Sequence, residues 1–187
     1  MPLVDGERSR CGWATSTAEY VRYHDEEWGT PLRGDDALFE RLTLEAFQSG
    51  LSWITILRKR PAFRAAFAGF SIDAVARFTA EDEERLMADA AIVRNRAKIR
   101  AAIGNARAAG EQPEGLSELL WSFAPTGPRP RPATLADVPA TSPESVAMAR
   151  ELKRRGFVFV GPTTAYALMQ ATGMVDDHVA DCFRASP

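Results

Sequence analysis

Cysteine and histidine are nearly absent from this chain, with two of each in 187 residues. They amount to four zinc-type ligands, Cys11, His24, His178 and Cys182, with none to spare. Charge of one sign is missing too: 23 basic residues stand against 25 acidic, for a net charge of −2 and a pI near 5.8. That balance argues against a globally electrostatic nucleic-acid binder while leaving room for a local basic surface. No apolar run approaches the roughly 20 residues that span a bilayer. Met1 to Arg8 contains no apolar signal core. The expectation is a cytoplasmic protein without a membrane partner, acting as a monomer. No alternating stretch is longer than Phe157 to Val160, so there is little to build a sheet from, and no internal repeat occurs.

Helix signals fill the gap, and the predicted fold class is all-α. Ser16 is placed to cap a segment through Tyr20 and Tyr23, and Asp35 or Asp36 opens an apolar run that Gly50 ends. Ser52 to Lys59 reads as a short helix, with Pro61 in the first turn of another. Ser71 and Thr79 read as caps, the latter with Asp82 in capping-box position. Ala97 to Ala109, Pro143 to Arg154 and Thr163 to Thr172 complete the set. Ala124 to Pro132 carries four prolines and reads as an extended loop inside a single unit covering residues 1–187.

Three constellations carry chemistry. His178-x3-Cys182 has i,i+4 spacing, which on a helix places both ligands on one face. A full Cys2His2 sphere leaves no open position, so a metal there is structural. Spacing alone also allows buried thiols with unrelated histidines, or a disulfide between Cys11 and Cys182, the latter weakened by the missing secretory signal. The second constellation is the turn Gly156 to Gly161 leading into Thr163 and Thr164. A helix N-terminus offers unpaired N–H groups, and glycine lets a phosphate approach the backbone. Gly156, Val160, Gly161, Thr163 and Thr164 are therefore candidate contacts to DNA phosphates, with a plain helical hairpin as the alternative. Arg94 to Arg107 and Lys153-Arg154-Arg155 offer further positive charge. The third is aromatic: Trp13, Tyr20, Tyr23, Trp28 and Trp53, with Glu45 embedded in an apolar run. Rings stack on a flipped base and a carboxylate accepts from its N–H groups, although each ring singly also suits a core.

Arg10-Cys11-Gly12-Trp13, Tyr23 to Gly29, Leu44 to Thr55, and Gly156 to Thr163 with Asp177-His178 resemble the 3-methyladenine DNA glycosylase I family over nearly the whole chain. The resemblance implies a helix-hairpin-helix glycosylase fold, with the hairpin at about 150–172 and a structural Zn2+ on Cys11, His24, His178 and Cys182 joining the two ends. It implies monofunctional hydrolytic excision of 3-methyladenine from double-stranded DNA carrying alkylated bases. Glu45 would contact the damaged base, inside a pocket shaped by Trp13, Tyr20, Tyr23, Trp28 and Trp53. The family lacks the catalytic aspartate of its wider superfamily, and neither Asp176 nor Asp177 is assigned that role. Ala46 departs from the glycine many relatives carry. Two other classes fit the residues alone: a zinc-stapled DNA-binding domain without activity, and a zinc hydrolase, which needs an open coordination position.

Overall fold

The computed structural model describes residues 8–127 and 129–185, which form nine α-helices and three short 3-10 turns with no strand among them. None of these helices is long and apolar enough to cross a membrane. Pro128, in the proline-rich loop, lies outside the described residues.

Helix boundaries follow local chemistry with instructive shifts. Ser16 closes a 3-10 turn at Gly12–Thr15, so helix α1 (Ala18–Glu26) is capped one residue later by Thr17, whose hydroxyl accepts from the Tyr20 N–H at 3.2 Å. Helix α2 (Asp35–Gln48) starts with two acids, which suit the positive end of the helix dipole. Its residues from Leu38 to Phe47 are buried except Glu40, so it is the central helix, and it packs against α3, α6, α7 and α9.

Helix α3 (Trp53–Ala66) corrects the sequence expectation of two helices. Pro61 sits inside one continuous helix rather than in a first turn. The lost N–H bond costs about 3 kcal/mol in an isolated helix. Burial of Ile56 and Leu57 before the proline, and of Phe63 and Ala66 after it, keeps both halves in line.

Helices α4 (Ile72–Ala76) and α5 (Ala80–Ala88) begin at Ser71 and Thr79, the latter with the Thr79–Asp82 capping box formed. Helix α6 (Arg96–Gly110) follows, then α7 (Leu116–Trp121), too short to leave a periodic signal in the sequence. Helix α8 (Pro143–Arg154) and helix α9 (Pro162–Ala171) each take proline in the first turn and pack against each other.

The His178-x3-Cys182 pair does not lie on a helix, contrary to its spacing. After Gly173 the chain runs in turns whose backbone groups bond outward. The Ala180 N–H donates to the Pro132 carbonyl at 3.0 Å, and the Phe183 N–H to the Ser9 carbonyl at 2.8 Å. Those ties take the place of intrahelical bonds. Gly173 itself has φ +72, and a Cβ there would lie 2.6 Å from Pro31 N, so the end of α9 crosses the 29–31 segment with no room for a side chain.

Candidate functional site

Cys11, His24, His178 and Cys182 converge, all buried, with their ligand atoms within 4.8 Å of one another. Both cysteines are free thiols, which removes the disulfide alternative. His24 Nε2 lies 3.4 Å from Cys182 Sγ, and His178 Nδ1 lies 3.5 Å from Cys182 Sγ and 3.7 Å from Cys11 Sγ. Zinc bond lengths of ~2.3 Å to sulfur and ~2.0–2.1 Å to nitrogen imply tetrahedral S···N edges of about 3.5 Å, so the donor set fits that ion. The outer ring nitrogens are engaged as well. His24 Nδ1 is 2.8 Å from Asp25 Oδ1, and Arg10 clamps the same carboxylate from Nε and Nη2; His178 Nε2 is 3.3 Å from the Trp28 carbonyl. Such partners fix which nitrogen faces a metal. Burial lowers the pKa of His24 and holds His178 down at about 4, so the imidazoles are neutral, the form that ligates.

Beside this cluster opens a pocket of about 520 Å³. The six residues singled out from sequence, Trp13, Tyr20, Tyr23, Trp28, Glu45 and Trp53, all line it. Trp13 anchors one wall, edge-on to Tyr20 at 5.7 Å and to Trp28 at 5.1 Å between centroids. Tyr23 and Trp53 form another contact at 5.5 Å. Trp28 also meets the His178 ring edge-on at 4.7 Å, so one indole borders both the pocket and the cluster. The Tyr20 hydroxyl accepts from the Ile54 N–H at 3.0 Å, satisfying an orphan donor in the first turn of α3 and fixing the segment that carries Trp53.

Glu45 is 6% exposed, which overturns the alternative of a solvent-facing helix position. It has no hydrogen bond or ion pair to any described residue. Burial raises its pKa to about 7, with Arg41 pulling weakly the other way. The indole N–H of Trp53 is buried and unpaired as well. The pocket therefore combines aromatic walls with a carboxyl that the protein leaves unpaired.

Sequence reasoning missed the rest of the lining: Gln48, Ser52, Leu135, Val138, Ala167, Gln170 and Asp177. Gln48 follows Glu45 by three residues, so helical spacing could have found it, whereas Gln170 follows only Ala167, which nothing in the sequence marks. Leu135 and Val138 lie in and just after the third 3-10 turn (Leu135–Asp137), on a strap from the proline-rich loop, and nothing local marks them. The strap is tied down by Arg129 Nη2 donating to the Tyr166 hydroxyl at 3.0 Å and by Arg131 Nη2 to Asp176 at 3.2 Å. Tyr166 in turn donates to Asp177 Oδ2 at 2.6 Å, and Gln170 Nε2 donates to the same oxygen at 2.8 Å.

Gly156 (φ +90) ends α8, Val160 is buried, and Gly161 caps α9 with nothing within 4 Å of an added Cβ. Thr163 is exposed and Thr164 partly so, in the first turn of α9. Val158 and Phe159 project from the turn at 48% and 47% exposure. The Arg94 to Arg107 stretch is mostly consumed within the protein. Arg96 and Arg100 pair with Glu83, Arg107 donates to the carbonyls of Ala76 and Phe78, and Lys98 caps the end of α2 through the carbonyls of Phe47 and Ser49. Arg154 and Arg155 likewise pair with Glu151.

The model of the methyladenine glycosylase family matches residues 13–185. DNA-3-methyladenine glycosylase 1 of Escherichia coli K12 is 46% identical over 177 residues, covering 92% of this chain and 95% of that one. A crystal structure of 3-methyladenine DNA glycosylase I superposes with a TM-score of 0.91 at 43% identity, covering 95% of this chain and all of the other. A variant of 3-methyladenine DNA glycosylase I in complex with 3-methyladenine superposes at 0.89 with 34% identity, over 95% of this chain and 98% of the other. The chain belongs to the methyladenine glycosylase family.

Proposed function

We propose that this protein is a monofunctional DNA glycosylase that releases 3-methyladenine from alkylated double-stranded DNA by hydrolysing the N-glycosidic bond. The observation that carries this reading is Glu45, a buried carboxyl with no protein partner, enclosed by Trp13, Tyr20, Tyr23, Trp28 and Trp53. The names of its relatives, one of them held in complex with 3-methyladenine, support it.

Methylation at N3 places positive charge on the purine and weakens its bond to the sugar, so no strong general acid is required. The protein's work is to hold the extruded nucleotide, stack the base on rings and offer Glu45 to its N–H groups. Water then adds to the oxocarbenium-like sugar. The α8–α9 pair acts as a helix-hairpin-helix, with Gly156, Val160, Gly161, Thr163 and Thr164 presenting backbone N–H groups and hydroxyls to phosphates without reading sequence. Cys11, His24, His178 and Cys182 would hold a structural zinc, whose contribution is to cross-link the ends of the chain. The protein acts as a monomer in the cytoplasm, as one unit over residues 1–187.

The test is release of free 3-methyladenine from methylated duplex DNA without strand cleavage. Tight DNA binding without base release would instead leave a zinc-stapled binding domain.

A further inference from the structure

Arg41 and Glu45 stand four residues apart on α2, the spacing at which an arginine and a glutamate ordinarily pair along a helix. Here they do not. Arg41 turns to α1, donating from Nη1 to the Tyr23 hydroxyl at 3.0 Å and from Nη2 to Glu27 Oε2 at 3.2 Å. Glu27 is itself gripped by Arg60 of α3, which donates to both carboxylate oxygens at 2.6 and 2.8 Å. Arg41 and Arg60 are both buried, so the cluster is a built feature of the interior. It carries two cations on one anion, while Glu45, on which Arg41 also acts, is left without an ion partner.

We propose that Glu27 is a positioning residue for base excision: by taking up Arg41 it withholds the guanidinium from Glu45 and leaves the pocket carboxyl free to meet the base. This rests on the reading of Glu45 as the group that contacts the base. Of the titratable groups, Tyr20, Tyr23 and Asp177 share the pocket with Glu45, and the buried cations on the helices that pack against α2 are Arg60 on α3 and Lys98 on α6. Lys98 is spent on two carbonyls and Arg60 on Glu27, so Arg41 is the cation that acts on Glu45. The arrangement also makes the Tyr23 oxygen an acceptor from Arg41, which frees its own proton to point elsewhere.

The experiment is a carboxyl-carbon NMR titration of the full-length protein with labelled glutamate, assigned by loss of one signal in Glu45→Gln. In Glu27→Gln, Arg41 swings to Glu45 and the Glu45 midpoint falls by about one to three units. In Arg41→Met, which leaves the Glu27–Arg60 pair intact, it rises. A midpoint that stays put in Glu27→Gln, or that falls in Arg41→Met, overturns the proposal; if Glu27→Gln does not fold, Glu27→Asp, whose shorter carboxylate loosens its hold on Arg41, takes its place, and an unmoved Glu45 midpoint there overturns the proposal. Excision is measured alongside. Glu27→Gln slows it at pH 7 and adding Arg41→Met restores it, a rescue that a purely structural role for Glu27 does not give. Wild-type protein that shows both NMR shifts in its variants but releases no base upholds the Glu27–Arg41 arrangement and counts against the glycosylase reading alone.

Discussion

Asn105 closes both backbone hydrogen-bonding groups of Val158: its Nδ2 donates to the Val158 carbonyl at 3.0 Å, and its Oδ1 accepts the Val158 N–H at 2.8 Å. One buried side chain on α6 thus pins the turn between α8 and α9. Asn105→Ala removes both partners at once, and destabilisation of about 1 kcal/mol is expected, because Val158 is half-exposed and its freed groups can turn to water. Urea unfolding measures that loss. Duplex affinity should fall further than the stability change accounts for, because the turn it holds is the one assigned to phosphate.

Gly161→Val tests the same turn from its outer side. Gly161 has φ −80 and open space around it, so valine is accommodated without strain. Melting temperature and binding of free 3-methyladenine should stay near wild type, while affinity for duplex DNA drops at least about tenfold as phosphate is held off the α9 N-terminus. Undiminished DNA affinity sinks the assignment.

Glu45→Gln separates function from stability. Excision should fall and affinity for the free base should weaken. Because burial raises the Glu45 pKa from 4.5 to about 7, the folded state holds its proton more tightly than the unfolded chain does. Its contribution to stability is therefore complete below about pH 4.5 and is lost as pH rises through about 7, with a total of about 3 kcal/mol. Glutamine removes that dependence. Denaturant titrations at pH 5 and pH 8.5 should show the variant gaining on wild type at the higher pH, and equal behaviour at both would refute the buried ionisation.

Cys182→Ser replaces a sulfur that faces both histidines. Elemental analysis should show about one equivalent of zinc in the wild-type protein and little in the variant, with a melting temperature lowered by several degrees. Chelation should unfold the protein rather than silence a still-folded enzyme. Loss of activity with the fold intact would point to an open, catalytic metal.

Much of this architecture is legible in the residues themselves, where the chemistry is local. The caps at Ser71 and Thr79, the helix over Pro143–Arg154 and the stop near Gly110 follow from neighbours a few positions away. Pro61 fails that logic because burial on both sides outweighs the missing hydrogen bond. His178 and Cys182 converge without the helix that their spacing suggests, since the turns that carry them are held by Pro132 and Ser9. The pocket rings stand out by residue type, and Gln48 by spacing. Leu135, Val138 and the spent arginines of α6 depend on contacts between distant segments, which no local pattern encodes.

The Cys2His2 cluster has a kinetic side. Cys11 and His178 meet across 167 positions of sequence, and His24 and Cys182 across 158. Closing so long a loop carries an entropic cost, and it cannot occur until both segments have been synthesised. A metal held by these four residues would therefore be taken up late, after both distant segments have met. Until then the aromatic block around Cys11, which borders the pocket, would lack its tie to the segment that carries His178 and Cys182.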